Sequence, residues 1–154
     1  MDVLIVLGSK SDAHRGEEAL AVLEEFGLEA RLVVASAHRT PARLRKVVED
    51  ADARVYIAMA GMSAALPGSV AALTTRPVIG VPLSGTLSLD AVLAVTQMPP
   101  GIPVAAVALD GAVNAALLAV TILALSRPEL QDRLEAYRDR MRKAVTKDSE
   151  ALGG

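Results

Sequence analysis

The sequence predicts an α/β fold, a three-layer sandwich in which a central parallel sheet carries helices on both faces. Three observations lead there. Five short apolar runs recur along the chain, and they are continuous rather than alternating, as strands buried on both faces should be. Segments with helical spacing lie between the early runs. Strands alternating with helices are the mark of a parallel sheet, whose successive strands need a long crossover.

The first strand is "VLIVLG" (3–8), followed by "SDAHRGEEALAVLEEFG", a helix with Leu20, Leu23 and Phe26 on one side. Ser11 or Asp12 can cap it, and Gly27 can stop it. The second strand is "RLVVAS" (31–36), and the helix "TPARLRKVVEDA" follows with Thr40 as cap and Pro41 just inside its start. "RVYIAMAG" (54–61) is the third strand, followed by the helical segment "SAALPGSVAALTT". "RPVIGVP" (76–82) and "IPVAAVAL" (102–109) complete the sheet, with "VPLSGTLSLD" (81–90) and "QMPPGIPVA" (97–105) read as loops.

A long apolar helix, "GAVNAALLAVTILAL" (111–125), comes next. The last segment spaces Leu130, Leu134, Tyr137, Met141 and Val145 by threes and fours, and Ser126 with Glu129 forms a capping box. The expected organisation is an α/β domain over 1–125 and a C-terminal amphipathic helix over 126–154 that packs on a neighbouring subunit, with the closing Gly153–Gly154 pair fraying.

Composition narrows the function classes. Apolar residues make up 52% of 154, yet there are two Tyr, one Phe and no Trp, so Val, Leu, Ala, Ile and Met must build the core. Sixteen basic and 18 acidic residues leave a net charge of −2 without long runs of one sign, which argues against nucleic acid or a membrane surface as partner. With no Cys, disulfides, thiolate metal sites and a cysteine nucleophile are excluded, and a reducing compartment is expected. The start of the chain lacks the basic region and cleavage site of a signal peptide. The 111–125 run contains Asn114 and is shorter than the ~20 residues that span a bilayer. A cytoplasmic protein is expected.

In a parallel sheet the ligand site lies at the carboxyl ends of the strands. After the first strand comes "GSKSD" (8–12), whose glycine, hydroxyls and helix N-terminus suit an anion. It reads equally as a capped helix start without a ligand. After the second comes "SAHRTP" (36–41), where Arg39 offers a fork for phosphate or carboxylate and His38 an imidazole suited to proton transfer. "AGMSAALPG" (60–68) and the 81–90 loop are rich in Gly, Ala and Ser, able to line a pocket but without an acid or base. His14, near Glu17 and Glu18, reads as a solvated surface group, and Asp110 carries no assigned role. Two histidines and no cysteine form no metal cluster.

"GSKSD", "SAHRTP", "AG" followed by "LPG", "QMPPGIPV" and "NAALLA" resemble, in order and spacing, the catalytic subunit of phosphoribosylaminoimidazole carboxylase, whose bacterial form is the N5-carboxyaminoimidazole ribonucleotide mutase of purine synthesis. The similarity runs from about residue 2 to residue 125. It implies a flavodoxin-like fold, a homo-octamer with sites at subunit junctions, a small ribonucleotide substrate, no metal and no organic cofactor. Carried over by position, it implies that Ser9 and Ser11 bind the nucleotide, Asp12 the ribose hydroxyls, and Ser36 and Arg39 the phosphate. His38 is then the general acid/base, and Gly61, Ser63 and Leu66 lie on the loop over the migrating carboxylate. The chain departs from the mutase pattern "AGGAAHLPG" at Met62 and Ala65, and its stretch before "LSLD" is shorter. The branch that carboxylates directly with CO2 carries Arg-Ser at the positions of Met62 and Ser63; "SAHR" keeps this chain nearer the mutases.

Overall fold

A computed structural model describes residues 1–153; Gly154, half of the pair expected to fray, lies outside them. Five strands alternate with helices: β1 (Val3–Leu7), α1 (Ala13–Glu25), β2 (Ala30–Val34), α2 (Pro41–Asp50), β3 (Val55–Ala60), α3 (Leu66–Ala71), β4 (Val78–Pro82), α4 (Ser88–Thr96) and β5 (Ala105–Ala106). Two further helices, α5 (Ala112–Ala124) and α6 (Pro128–Ala151), follow. Every strand pairing is parallel, in the order β2-β1-β3-β4-β5. This is the flavodoxin-like order, and the three-layer α/β fold is the one the sequence predicts.

The three inner strands explain why their runs are continuous. Every residue of β1, β3 and β4 is buried. Leu4 and Val6 of β1, Tyr56 and Ala58 of β3, and Val78 of β4 share a core with Leu44 and Val48 of α2, Leu66 and Val70 of α3, and Ala91 and Val95 of α4. Each such Leu, Ile or Val contributes roughly 1.5–3 kcal/mol by leaving water. Inside this layer the Tyr56 hydroxyl donates to the Val48 carbonyl at 3.0 Å. On the other face, a Cβ at Gly16 of α1 would sit 2.5 Å from Leu32 Cδ1 and 3.2 Å from Leu7 Cδ1, so the helix reaches the sheet because it has no side chain there.

The outer strands depart from the expectation of burial on both faces. In β2, Val34 is 41% exposed. The eight-residue run "IPVAAVAL" yields only Ala105–Ala106 as regular strand, and both are exposed. An edge strand has one neighbour, and Pro103 has no N–H to extend the ladder backwards. The 81–90 segment expected as a loop ends in α4, which starts at Ser88 and runs to Thr96, so this crossover is helical like the others. Its signal is the spacing of the buried Ala91 and Val95, with Asp90 in the first turn.

The helix starts also differ. Asp12 occupies the cap position of α1 without a side-chain cap bond. Ser9 instead caps a 3-10 turn over Lys10–Asp12, its hydroxyl accepting from the Ser11 N–H at 3.4 Å. Gly27, at φ 69°, follows α1 as its stop.

Residues from Val120 onward form a compact unit separate from Met1–Ala119. Within it, α6 buries Leu130 and Leu134, while Met141 and Val145 of the same stripe are 55% and 69% exposed. The expected Ser126–Glu129 capping box is not formed. The helix begins at Pro128 with Arg127 as its cap residue, and the Ser126 hydroxyl donates to the Leu123 carbonyl at 3.2 Å. Proline prefers the first helical position, which leaves Glu129 one residue too early for a capping box.

Candidate active site

In this strand order the chain runs from β1 outward to β2 and then returns to β3 on the other side of β1. A crevice therefore opens between the carboxyl ends of β1 and β3. Gly8–Asp12 and Gly61–Ala65 flank it, and the loop after β2 stands beside the first of them.

The β2 loop is built by its own hydroxyls. Thr40 Oγ1 accepts from the Ser36 N–H at 2.9 Å, the Thr40 N–H donates to the Ser36 carbonyl at 3.0 Å, and Ser36 Oγ accepts from the Arg39 N–H at 3.1 Å. Thr40, expected as a helix cap, closes this turn and makes no side-chain cap bond to α2. The turn sends Arg39 towards β1, where Nη2 donates to the Gly8 carbonyl at 2.9 Å and Nε to Ser36 Oγ at 3.5 Å. His38, on the crest between them, is exposed and makes no hydrogen bond or ion pair among the described residues. An imidazole so placed is available to a ligand.

Ser9 is half-buried and Ser11 exposed, with Ser11 Oγ donating to Asp12 Oδ1 at 3.0 Å. Two hydroxyls, a carboxylate and the N–H groups of the turn thus stand at one strand end. Met62 (φ 54°) and Ala64 (φ 38°), in the loop after β3, are both left-handed, a conformation that costs an L-residue about 1–2 kcal/mol. Met62 is 81% exposed. A Cβ on Gly61 would come within 3.2 Å of the Leu83 carbonyl. Ser63 is exposed, while Leu66 is buried in the core and offers a ligand no side-chain surface.

Sequence reasoning missed a cluster at the same end of the sheet. Asp110, after β5, accepts from the Ser84 N–H at 2.9 Å through Oδ1 and meets Arg15 Nη2 of α1 at 3.5 Å through Oδ2. Arg15 also pairs with Glu18 at 3.0 Å. Burial pushes the Asp110 carboxyl up, but the Ser84 hydrogen bonds and the Arg15 and His14 charges outweigh it and hold the group below its ordinary value. These residues are far apart in sequence, and only the strand order joins them.

Two cavities lie elsewhere. One of about 730 Å³, lined by Thr74, Arg76 and Ile102 among others, is at the opposite end of β4 and β5. One of about 360 Å³ lies between α2 and α3, with Pro41, Leu44 and Leu73 in its wall. Neither includes Ser9, His38 or Arg39, and the strand-end rule together with the side-chain chemistry places the candidate site at the crevice instead.

Residues 2–144 match the family described as AIR carboxylase. The chain belongs to the AIR carboxylase family. Within that family it is 49% identical over 151 residues to a protein of Methanocaldococcus jannaschii named N5-carboxyaminoimidazole ribonucleotide mutase, covering 97% of this chain and 96% of that one. A Pyrococcus abyssi protein of the same name is 49% identical over 144 residues, covering 90% and 83%. The crystal structure of Treponema denticola PurE superposes with a TM-score of 0.89 at 30% identity, covering 97% of each chain. In this member of the AIR carboxylase family the loops after β1 and β2 are joined directly by Arg39. Basic, acidic and hydroxyl groups stand at the strand ends, and the exposed His38 imidazole belongs to the same turn as Arg39.

Proposed function

We propose that this chain is an N5-carboxyaminoimidazole ribonucleotide mutase acting in purine biosynthesis. The observation that carries the reading is the Arg39 bond to the Gly8 carbonyl. It draws "GSKSD" and "SAHRTP" into one clamp, with His38 exposed on its crest. Its family and the names of its relatives support the same reaction.

In this reading Ser9 and Ser11 hold the nucleotide, Asp12 takes the ribose hydroxyls, and Ser36 and Arg39 hold the phosphate. The bond from the exocyclic nitrogen to its carboxylate carbon breaks, leaving CO2 beside an electron-rich aminoimidazole. Ring carbon 4 then attacks CO2, forming the new carbon–carbon bond. One proton must leave carbon 4 and one must reach the nitrogen, and His38 carries it between them. Escape of CO2 is opposed by the small residues of the β3 loop, where Gly61 and Ser63 lie over the migrating group and Leu66 backs the loop from the core.

In this reading the chain assembles into a homo-octamer with sites at subunit junctions, and the exposed apolar side chains Leu93 of α4 and Val113 of α5 support contact with further copies. Within the C-terminal unit, exposed Met141 and Val145 support docking of α6 on a neighbouring subunit.

A second reading is direct carboxylation of aminoimidazole ribonucleotide by CO2. It is favoured by the loop after β3, where Met62 and Ala65 supply no group able to move a proton. Turnover of each ribonucleotide, with and without bicarbonate, separates the two. A mutase converts the N5-carboxy substrate without added bicarbonate. Activity only on aminoimidazole ribonucleotide with bicarbonate transfers the assignment to the carboxylase, and binding without turnover under any condition leaves a nucleotide-binding homologue.

A further inference from the structure

The geometry points to Asp110 as a positioning residue, one that holds the turn after β4 and the start of α1 at fixed separation around the mouth of the site. This inference rests on the proposed placement of the site at the carboxyl ends of the strands. One carboxylate oxygen accepts from the Ser84 N–H at 2.9 Å, and the other meets Arg15 Nη2 at 3.5 Å. Arg15 lies three residues beyond Asp12, so the link reaches from the β4 turn to the segment that carries Ser9, Ser11 and Asp12.

The backbone makes the same join from beneath. The Asp110 N–H donates to the Pro82 carbonyl at 2.9 Å, and the Gly111 N–H donates to the Ala108 carbonyl at 2.9 Å. A Cβ on Gly111 would lie 2.7 Å from that Ala108 oxygen, so the chain can turn this tightly only through glycine. Asp110 itself sits at φ 56°, a region that a short polar side chain tolerates better than most. Strain kept at one residue, with both carboxylate oxygens engaged, is a reason to look for a role there.

The turn it holds has few other ties. Ser84, Gly85, Thr86 and Leu87 are exposed. Apart from the Asp110 bond, the turn has a local exchange in which the Gly85 N–H donates to Ser88 Oγ and that hydroxyl donates back to the Gly85 carbonyl, both at 3.2 Å. Without the carboxylate, the Ser84 N–H loses its acceptor and Arg15 keeps only Glu18. The turn is then free to move while the core below it is unchanged.

The test compares wild type with Asp110→Ala, Asp110→Asn and Arg15→Gln, by steady-state kinetics on both ribonucleotides and by thermolysin cleavage before Leu87 or Leu89 in the intact protein. Asp110→Ala is expected to speed this cleavage and to raise KM on the order of tenfold, the scale of a lost hydrogen bond to a charged group, with kcat within about twofold. Asp110→Asn keeps a carbonyl acceptor for Ser84 and should restore most of the protection. Arg15→Gln should fall between them, and it carries the test if Asp110→Ala does not fold. Unchanged cleavage in Asp110→Ala and Arg15→Gln would overturn the inference, as would a fall in kcat alone with KM and cleavage at wild-type values. The cleavage needs no substrate. A wild-type protein inactive on both ribonucleotides therefore refutes the proposed function, while the cleavage rates still decide the role of Asp110.

Discussion

Arg39 donates from Nη2 to the carbonyl of Gly8 at 2.9 Å, across 31 residues of sequence and from one strand end to the next. One guanidinium thereby sets the spacing of the two loops assigned to the ribonucleotide. Replacing Arg39 by Ala removes both the clamp and a phosphate partner, so affinity should fall roughly 10- to 100-fold. Lysine should rescue little of it, because an ammonium lacks the planar fork that serves two partners at once. Calorimetric titration with aminoimidazole ribonucleotide measures this, and undiminished affinity in Arg39→Ala would remove the phosphate assignment.

His38→Asn separates chemistry from binding. The side chain is exposed and makes no hydrogen bond or ion pair among the described residues, so stability should stay within about 0.5 kcal/mol of wild type. Turnover should drop by about 10²–10⁴-fold, the range of a lost general acid/base, with ligand affinity little changed. Single-turnover assays alongside ligand titration give both numbers, and retained turnover would rule out the proton-transfer role.

Gly80 lies where β4 is crowded by its neighbours. A Cβ there would approach Val95 Cγ1 at 2.5 Å, Val104 Cγ1 at 2.8 Å and Pro67 Cβ at 3.1 Å. Gly80→Ala should cost about 1–3 kcal/mol as the surroundings are forced apart. Urea unfolding checks it, and an unchanged midpoint would mean that α3 and α4 can move away from the sheet freely.

Tyr56→Phe tests a buried hydroxyl of the α2–α4 layer. Its loss leaves the Val48 carbonyl without that donor and should cost about 1 kcal/mol, a fall in Tm of roughly 2–4 °C for a chain of this size.

The Asp110 carboxyl makes stability depend on acid. Its pKa is lowered in the folded chain from the ordinary 3.8, so its contribution is present above that value and is lost as pH falls through the folded one. Arg15 and His14 supply the opposing positive charge, and Glu18 shares Arg15. The stability gap between wild type and Asp110→Asn should therefore be widest near neutral pH and should close on acidification below 3.8. Urea midpoints at pH 7 and pH 3 compare the two, and a gap that does not narrow would contradict the assignment.

Much of the fold was legible because burial leaves a simple trace. Strands β1, β3 and β4 are covered on both faces, and no charged residue lies within any of the three. The outer strands show the limit of that trace: "IPVAAVAL" is as apolar as the inner runs, but an edge position and Pro103 leave only two residues in the ladder. The helix α4 was hidden by its Gly- and Ser-containing approach, although the four-residue spacing of Ala91 and Val95 was present. At the site, "GSKSD" and "SAHRTP" were visible as local motifs at consecutive strand ends. The bond from Arg39 to Gly8 was not visible, since no local pattern encodes it. The Asp110, Ser84 and Arg15 cluster was hidden more deeply, because its members come from two loops and a helix that only the strand order brings together.

The brevity of β5 has a bearing on how copies of this chain can meet. A sheet that stops on a long, flat strand offers a row of unpaired N–H and C=O groups to any passing strand, which is the usual route to uncontrolled fibrous association. Here the regular ladder stops at Ala105–Ala106, and the chain beyond it turns back through Asp110 to the Pro82 carbonyl. Little backbone is left on that side to template a further strand. Association on that side has to rely on the fit of side chains, which discriminates between partners in a way that open backbone does not.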